Sequence, residues 1–162
     1  MFWKKPKLKY CDQEMIEISQ LFFLENGDPT LGREYLETKS LDYSIASLKG
    51  VDHYLDLVRK RPEITSVWNK VILRCGAYVG EVARRSCDKR ELHWVDYENA
   101  LLVDKKSFEQ MGKSIGTAVS LYGGHAWFCF PLAKVDKYLE NGAADSVYSF
   151  VTVIKDVIVN QD

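Results

Sequence analysis

The sequence has little of what builds a disulfide scaffold, a metal site or a membrane span. Its 162 residues include only three histidines and four prolines. The four cysteines are far apart, with no C-x-x-C pair among Cys11, Cys75, Cys87 and Cys129. A zinc site would therefore have to be assembled from scattered ligands, and a domain of this size does not need disulfides. No stretch of about 18 residues is apolar and uncharged, so we expect no cofactor, no metal and no membrane span.

An excess of charge of one sign is also missing. Lys and Arg total 22 against 23 for Asp and Glu, which gives a formal net charge of -1. Such a chain has no positive field to attract a polyanion, so nucleic acid is not an expected partner. Four lysines do alternate with apolar residues near the start, but acidic residues soon follow. We therefore expect no export signal and a cytoplasmic protein.

Apolar and aromatic residues are plentiful. They make up 46% and 12% of the chain, a composition typical of a folded protein. The length is close to that of one domain and is sufficient for one buried core. No repeat or linker divides the sequence, so we expect a single domain over 1–162, in which 1–12 could form a loosely ordered basic arm.

Helical spacing of apolar residues predicts five helices. They cover approximately 13–25, 41–61, 66–85, 131–139 and 145–162, and Asp145 is expected to cap the last of them. The third has the broadest apolar face and is expected at the centre. Within it Gly76 and Gly80 are one turn apart. Because each glycine costs a helix about 1 kcal/mol relative to alanine, we expect compensation by tight packing on a sheet.

Strand-like patterns occupy the region after residue 90. The segments 92–97 and 100–103 are predicted strands, and 117–122 and 125–130 a hairpin with Gly123-Gly124 as its two-residue turn. The predicted fold class is therefore α+β, with a small antiparallel sheet packed by several α-helices.

No catalytic motif is present, whether phosphate loop, nucleophile elbow, zinc-protease helix or dinucleotide fingerprint. His125 and Cys129 would share one face of a predicted strand and could form a Cys/His nucleophilic site. A cysteine between two phenylalanines, however, is more typical of a buried core. Trp94, Trp127 and Tyr122 could form an aromatic platform for a ligand, although aromatic residues on strands usually belong to the core.

Glu81 is the most informative acidic residue, because it follows Gly80 in an otherwise apolar helix. Arg84 and Arg85 stand three and four residues later, a spacing that favours ion pairs along the helix. A general acid or base would need a second titrating partner in a cleft, and the sequence indicates none.

Four segments together resemble a family of uncharacterised bacterial proteins. They are Leu-Asp-Tyr-Ser from 41, Cys-Gly-Ala-Tyr-Val-Gly-Glu from 75, His-Trp-Val from 93 and Phe-Pro-Leu-Ala-Lys-Val from 130. The family's central helix reads Leu-Gly-Ala-Tyr-x-Gly-Glu, so Cys75 replaces the usual leucine here. The resemblance covers residues 40–155 and implies a bacterial, cytoplasmic, helix-flanked sheet. It transfers no catalytic residue, and proteins of this kind are suspected of acting as immunity proteins against delivered toxins.

These observations predict a non-catalytic protein-binding domain, specifically a bacterial immunity protein that neutralises a cognate toxin enzyme. The alternative is a small-ligand-binding protein or an enzyme with a pocket against the sheet. A third hypothesis is that the basic arm contacts a membrane surface or another protein. The candidate binding residues are Glu81, His93, Trp94, Glu98, His125, Glu140 and Asp145.

Overall fold

A computed structural model describes residues 4–160 and confirms the α+β class. Its α-helices are α1 (Asp12–Leu21), α2 (Leu48–Val58), α3 (Trp68–Ser86), α4 (Tyr97–Val103), α5 (Lys105–Met111), α6 (Pro131–Asn141) and α7 (Val147–Asn160). Short 3-10 helices lie at Arg33–Tyr35, Thr38–Ser40, Ile45–Ser47, Pro62–Val67 and Ala143–Asp145. Within the described range, no helix is both long and apolar enough to cross a membrane.

Three short strands form one antiparallel sheet in the order β1-β2-β3. They are β1 (His93–Asp96), β2 (Val119–Tyr122) and β3 (Phe128–Cys129). Trp94 pairs with Leu121, and Leu121 with Cys129, so these side chains share one face and belong to the main core. The other face is covered by a smaller cluster around Phe108 of α5.

Helix α3 runs through the centre of the molecule, as predicted, and its two glycines explain how closely its neighbours approach. A Cβ atom on Gly76 would come within 2.8 Å of Leu132 on α6. A Cβ atom on Gly80 would overlap the indole ring of Trp94 on β1. The predicted packing on the sheet is therefore present at Gly80, while Gly76 packs on a helix.

The region after β1 differs from the prediction, because residues 100–103 are helical. The carboxylate of Asp96 accepts a hydrogen bond from the Asn99 amide (2.8 Å) and starts α4. Asp104 does the same for α5 through the amide of Ser107 (3.2 Å). Short apolar runs have no periodicity that separates strand from helix, and these side-chain caps decide in favour of helix.

Several other helix ends also differ from the prediction. Helix α1 stops at Leu21 rather than near residue 25, and α2 begins at Leu48, after a 3-10 turn capped by Ser44. Helix α7 is capped by Ser146, whose hydroxyl accepts from the Ser149 amide (3.2 Å), and by Asp52 of α2, not by Asp145. Asp52 accepts from the Val147 amide (2.8 Å) and from the Ser146 hydroxyl (2.6 Å). Ser146 is a local cap, one residue after the predicted one, whereas a cap from a distant helix leaves no local signature in the sequence.

The segment before α1 runs beside β1 and α4. The Cys11 amide donates to the Trp94 carbonyl (2.9 Å), and the Lys9 amide donates to the Asn99 side chain (2.9 Å). Residues 1–3, which the arm hypothesis includes, lie outside the described range.

Candidate functional site

Glu81 lies at the centre of a buried polar network. Its side chain is completely buried, and both oxygens are occupied. Arg84 donates from Nε to Oε2 (2.7 Å) and from Nη2 to Oε1 (3.0 Å), while Arg85 Nε lies 3.3 Å from Oε1. The predicted ion pairs are thus present. A third donor, the indole Nε1 of Trp94 (3.0 Å from Oε2), ties the carboxylate to the sheet. Glu81 therefore fixes the position of the Trp94 indole ring.

The network continues from Trp94 to His93 through Asp12, the first residue of α1. The Trp94 amide donates to Asp12 Oδ1 (2.6 Å), and Asp12 Oδ2 lies 2.6 Å from His93 Nδ1. The Tyr10 ring stacks on the imidazole with centroids 4.0 Å apart and nearly parallel planes. His93 is thus fixed in orientation on two sides, which is the pre-organisation that a binding residue needs.

The second ring nitrogen of His93 faces an exposed carboxylate. Glu91 Oε1 lies 3.0 Å from His93 Nε2, while the Glu91 side chain remains 83% exposed. Each ring nitrogen of His93 therefore lies close to one carboxylate oxygen.

His93 opens onto a recess of about 510 Å³, which we call the polar recess. It is lined by Tyr10, Lys89, Arg90, Glu91, His93, Tyr122, Gly123, Gly124 and His125. Of the predicted residues, His93 and His125 are brought together here, and Glu81 and Trp94 support the floor. A neighbouring recess of about 630 Å³ shares Tyr122 and His125 and is lined on its far side by Lys5, Leu8 and Leu102.

The hairpin turn at the rim of the polar recess differs from the prediction. The carbonyl of Gly124 accepts from the Trp127 amide (2.9 Å), so His125 and Ala126 are the central residues in place of Gly123-Gly124. Their φ angles are +49° and +55°, the left-handed values that a type I′ turn requires. A non-glycine residue in this region costs about 1–3 kcal/mol. The turn therefore carries backbone strain at an exposed position.

His125 and Cys129 do not form the Cys/His site that the sequence analysis considered and judged less typical than a buried core. His125 lies on the exposed turn and lines the polar recess, whereas Cys129 is buried in β3 and lines a different cavity. Burial raises the pKa values of the Cys75 and Cys129 thiols, and burial together with Asp96 raises that of Cys11 to about 12. Thiols of this kind stay protonated at neutral pH and are poor nucleophiles.

A second cavity, which we call the apolar groove, lies between β3, α6 and α7. It has a volume of about 390 Å³ and is lined by Met111, Thr117, Phe128, Cys129, Phe130, Ala133, Lys134, Lys137 and Phe150. Helix α7 continues it, because Val153 and Val157 follow Phe150 at spacings of three and four and are 59% and 39% exposed. The apolar spacing in the sequence indicates only the buried face of this helix, so neither Val153 and Val157 nor the groove was predicted.

The remaining predicted residues lie away from the polar recess. Glu98 is in the first turn of α4 and lies 3.5 Å from Lys113. Asp145 pairs with Lys134, a lining residue of the apolar groove, at 2.9 Å. This hydrogen bond from Lys134, with another from Asn141, lowers the pKa of Asp145. Glu140 is exposed near the end of α6.

The residues that complete the polar recess escaped the sequence analysis. Asp12 is 81 residues from His93 in the chain, and Arg90 belongs to no motif. The one local signal for this site was that Glu91 is close to His93 in the sequence. Among the described residues, no three His, Cys, Asp or Glu side chains are grouped so that they could hold a metal ion.

Comparison of the chain with models of protein families, with curated proteins and with solved structures gives no match. We therefore infer function from the geometry of the polar recess and the apolar groove.

Proposed function

We propose that this chain is a non-catalytic protein-binding domain that docks its partner on the apolar groove. The single observation that carries the proposal is the continuous apolar surface formed by the groove and the exposed face of α7. Exposed apolar patches with polar rims are typical of protein interaction sites. Aromatic residues are enriched in such interfaces, and three phenylalanines line this one.

The charges at the groove specify the chemistry of the partner. Lys134 is neutralised by Asp145, whereas Lys137 forms no ion pair with any described residue. A partner that places an apolar side chain in the groove and a carboxylate beside Lys137 would match both features. Glu140, three residues after Lys137 on α6, adds an acidic group for a basic residue of the partner.

In its specific form, the proposal is a bacterial, cytoplasmic immunity protein that binds a cognate toxin enzyme and blocks its activity. The resemblance in the central helix and in the Phe-Pro turn supports this form. The Phe-Pro turn, Phe130-Pro131, forms part of the groove wall and leads into α6. A complex of this kind buries about 800 Å² on each partner, an area larger than the groove alone, so the rim would also take part.

The test uses the purified full chain and the purified products of the genes beside its own, each assayed for enzyme activity. Calorimetry measures binding, and an activity assay of the enzyme measures neutralisation. We expect Val153→Asp to weaken binding at least about tenfold, which corresponds to 1.4 kcal/mol. Lys137→Glu should weaken it less.

Leu102→Asp is the matched control, because Leu102 is 54% exposed but lies beside the second recess near Lys5. It should leave binding unchanged. If Leu102→Asp weakens binding and Val153→Asp does not, the groove is not the interface. If the wild-type chain neither binds nor inhibits the enzyme, the immunity function itself is wrong.

A further inference from the structure

The polar recess has no part in the proposed docking, yet its floor is fixed. His93 is held by Asp12 at Nδ1 and by the stacked ring of Tyr10. Asp12 is itself held by the Trp94 amide. A side chain restrained in this way at the floor of an open recess loses little conformational freedom when a ligand binds.

The position of Glu91 shows which kind of ligand group fits beside His93 Nε2. Its carboxylate oxygen lies 3.0 Å from Nε2, so the recess accommodates an oxygen anion at that position. The same side chain is 83% exposed, and its contact with His93 is its only ion pair within residues 4–160. Exposed ion pairs contribute little free energy, so a ligand can displace Glu91 at low cost.

Arg90 supplies the second half of the site. Its guanidinium lines the recess, lies 5.9 Å from the centroid of the Trp127 ring and has no carboxylate partner in the described part of the chain. Guanidinium groups bind phosphate and carboxylate through two parallel hydrogen bonds. Lys89 and His125 add further basic groups to the lining, and Glu91 and Asp12 are the nearby acids.

We propose that the polar recess binds the phosphate or carboxylate group of a small ligand. This group replaces the Glu91 carboxylate at His93 and accepts hydrogen bonds from the guanidinium of Arg90. The site is separate from the apolar groove, so it does not depend on the protein-binding function. The strained turn at His125 forms its rim, and strain of this kind collects at ligand sites.

The test is an NMR titration of the full chain with inorganic phosphate and, separately, with acetate. The expected result is a saturable shift of the His93 ring signals with at least one of the two anions. A response to phosphate alone assigns a phosphate ligand, and a response to acetate alone assigns a carboxylate. The absence of a saturable shift with either anion would overturn the proposal.

Two substitutions test the assigned roles against simple surface charge. Glu91→Gln should tighten anion binding several-fold, because it removes the competing carboxylate. Glu109→Gln makes the same change of charge on α5 and should have little effect. Arg90→Ala should weaken binding at least about tenfold, whereas Lys39→Ala should not.

If each pair of variants behaves alike, the anion is attracted only by net charge and the assigned site is wrong. Val153→Asp should leave the titration unchanged. This variant separates failure of the recess from failure of the docking proposal.

Discussion

Glu81 and Ala126 are both unfavourable residues for their positions, one because of its charge and the other because of its backbone. The charge of Glu81 is completely buried, but two arginines and an indole N–H occupy its oxygens. Ala126 has a φ of +55° on an exposed turn where glycine would be free of strain. Hydrogen-bond partners offset the free-energy cost of burying the Glu81 charge, whereas the backbone strain at Ala126 is not offset.

This difference separates a structural role from a functional one. A buried charge with all its hydrogen bonds made belongs to the fold, since its removal would leave its partners unpaired. Glycine would be more stable than alanine at this strained position on the cavity rim, so the strain does not serve the stability of the fold. The strained turn therefore accords with the anion site that we propose for the polar recess, and Glu81 belongs to the support of that recess.

The largest expected effect is that of Glu81→Ala on stability. The substitution leaves the indole N–H of Trp94 and the guanidinium of Arg84 without their acceptor. Breaking a buried pair in this way costs about 3–5 kcal/mol of the free energy of unfolding. Urea denaturation followed by tryptophan fluorescence measures it.

The control is Glu98→Ala, which removes an exposed ion pair to Lys113 and should cost less than about 1 kcal/mol. Glu81→Gln, which keeps an oxygen acceptor for Trp94, should fall between the two. Equal losses for Glu81→Ala and Glu98→Ala would contradict the structural role of the buried network.

The next effect concerns the packing of Trp94 over α3. Gly80→Ala introduces a methyl group where the indole ring lies, and such overpacking costs about 1–3 kcal/mol. Gly50→Ala on α2 is the matched control. No atom lies within 4 Å of its added Cβ, so it should gain about 0.5–1 kcal/mol of stability. Thermal unfolding of the two variants should therefore shift in opposite directions.

Ala126→Gly should raise stability by about 1 kcal/mol, because glycine adopts positive φ without strain. Ala46→Gly in the 3-10 turn before α2 should instead lose about 0.5 kcal/mol, since that backbone has no positive φ. Denaturation curves of both variants provide the comparison. A loss of stability in Ala126→Gly would show that the turn is not strained.

The same turn shows where sequence reasoning stops. Gly123-Gly124 is the stronger local turn signal, but a turn there would pair Leu121 with Ala126. The observed register pairs Leu121 with Cys129 and buries both in the main core. Register follows burial of a whole strand face, so tertiary packing overrides the local preference.

The central helix and its Glu81 ion pairs were predictable because their spacing is local. The third donor to Glu81 comes from the sheet, and the orienting partner of His93 comes from α1, 81 residues away. A single sequence has no signal for such contacts. The exposed residues Val153 and Val157 were missed for a different reason: the apolar spacing on α7 indicates its buried face, which includes Val151 and Ile154.

The smallest effect we predict is the contribution of Asp145 to stability in acid. The hydrogen bond from Lys134 lowers the pKa of this carboxyl group, so the folded state favours its ionised form. The contribution is complete above the ordinary aspartate pKa of about 3.9 and is lost as the pH falls through the lowered value. Asp145→Asn should therefore flatten the acid side of the stability curve, measured by denaturation from neutral pH downwards.

Lys134→Met removes the same interaction from the other side and should flatten the acid side in the same way. Because the pair lies at the rim of the apolar groove, a partner docked there would shield it from solvent and strengthen it. The acid dependence should then become steeper in the complex than in the free chain. If the acid dependence stays the same while Val153→Asp still weakens binding, the interface includes α7 but does not reach Asp145.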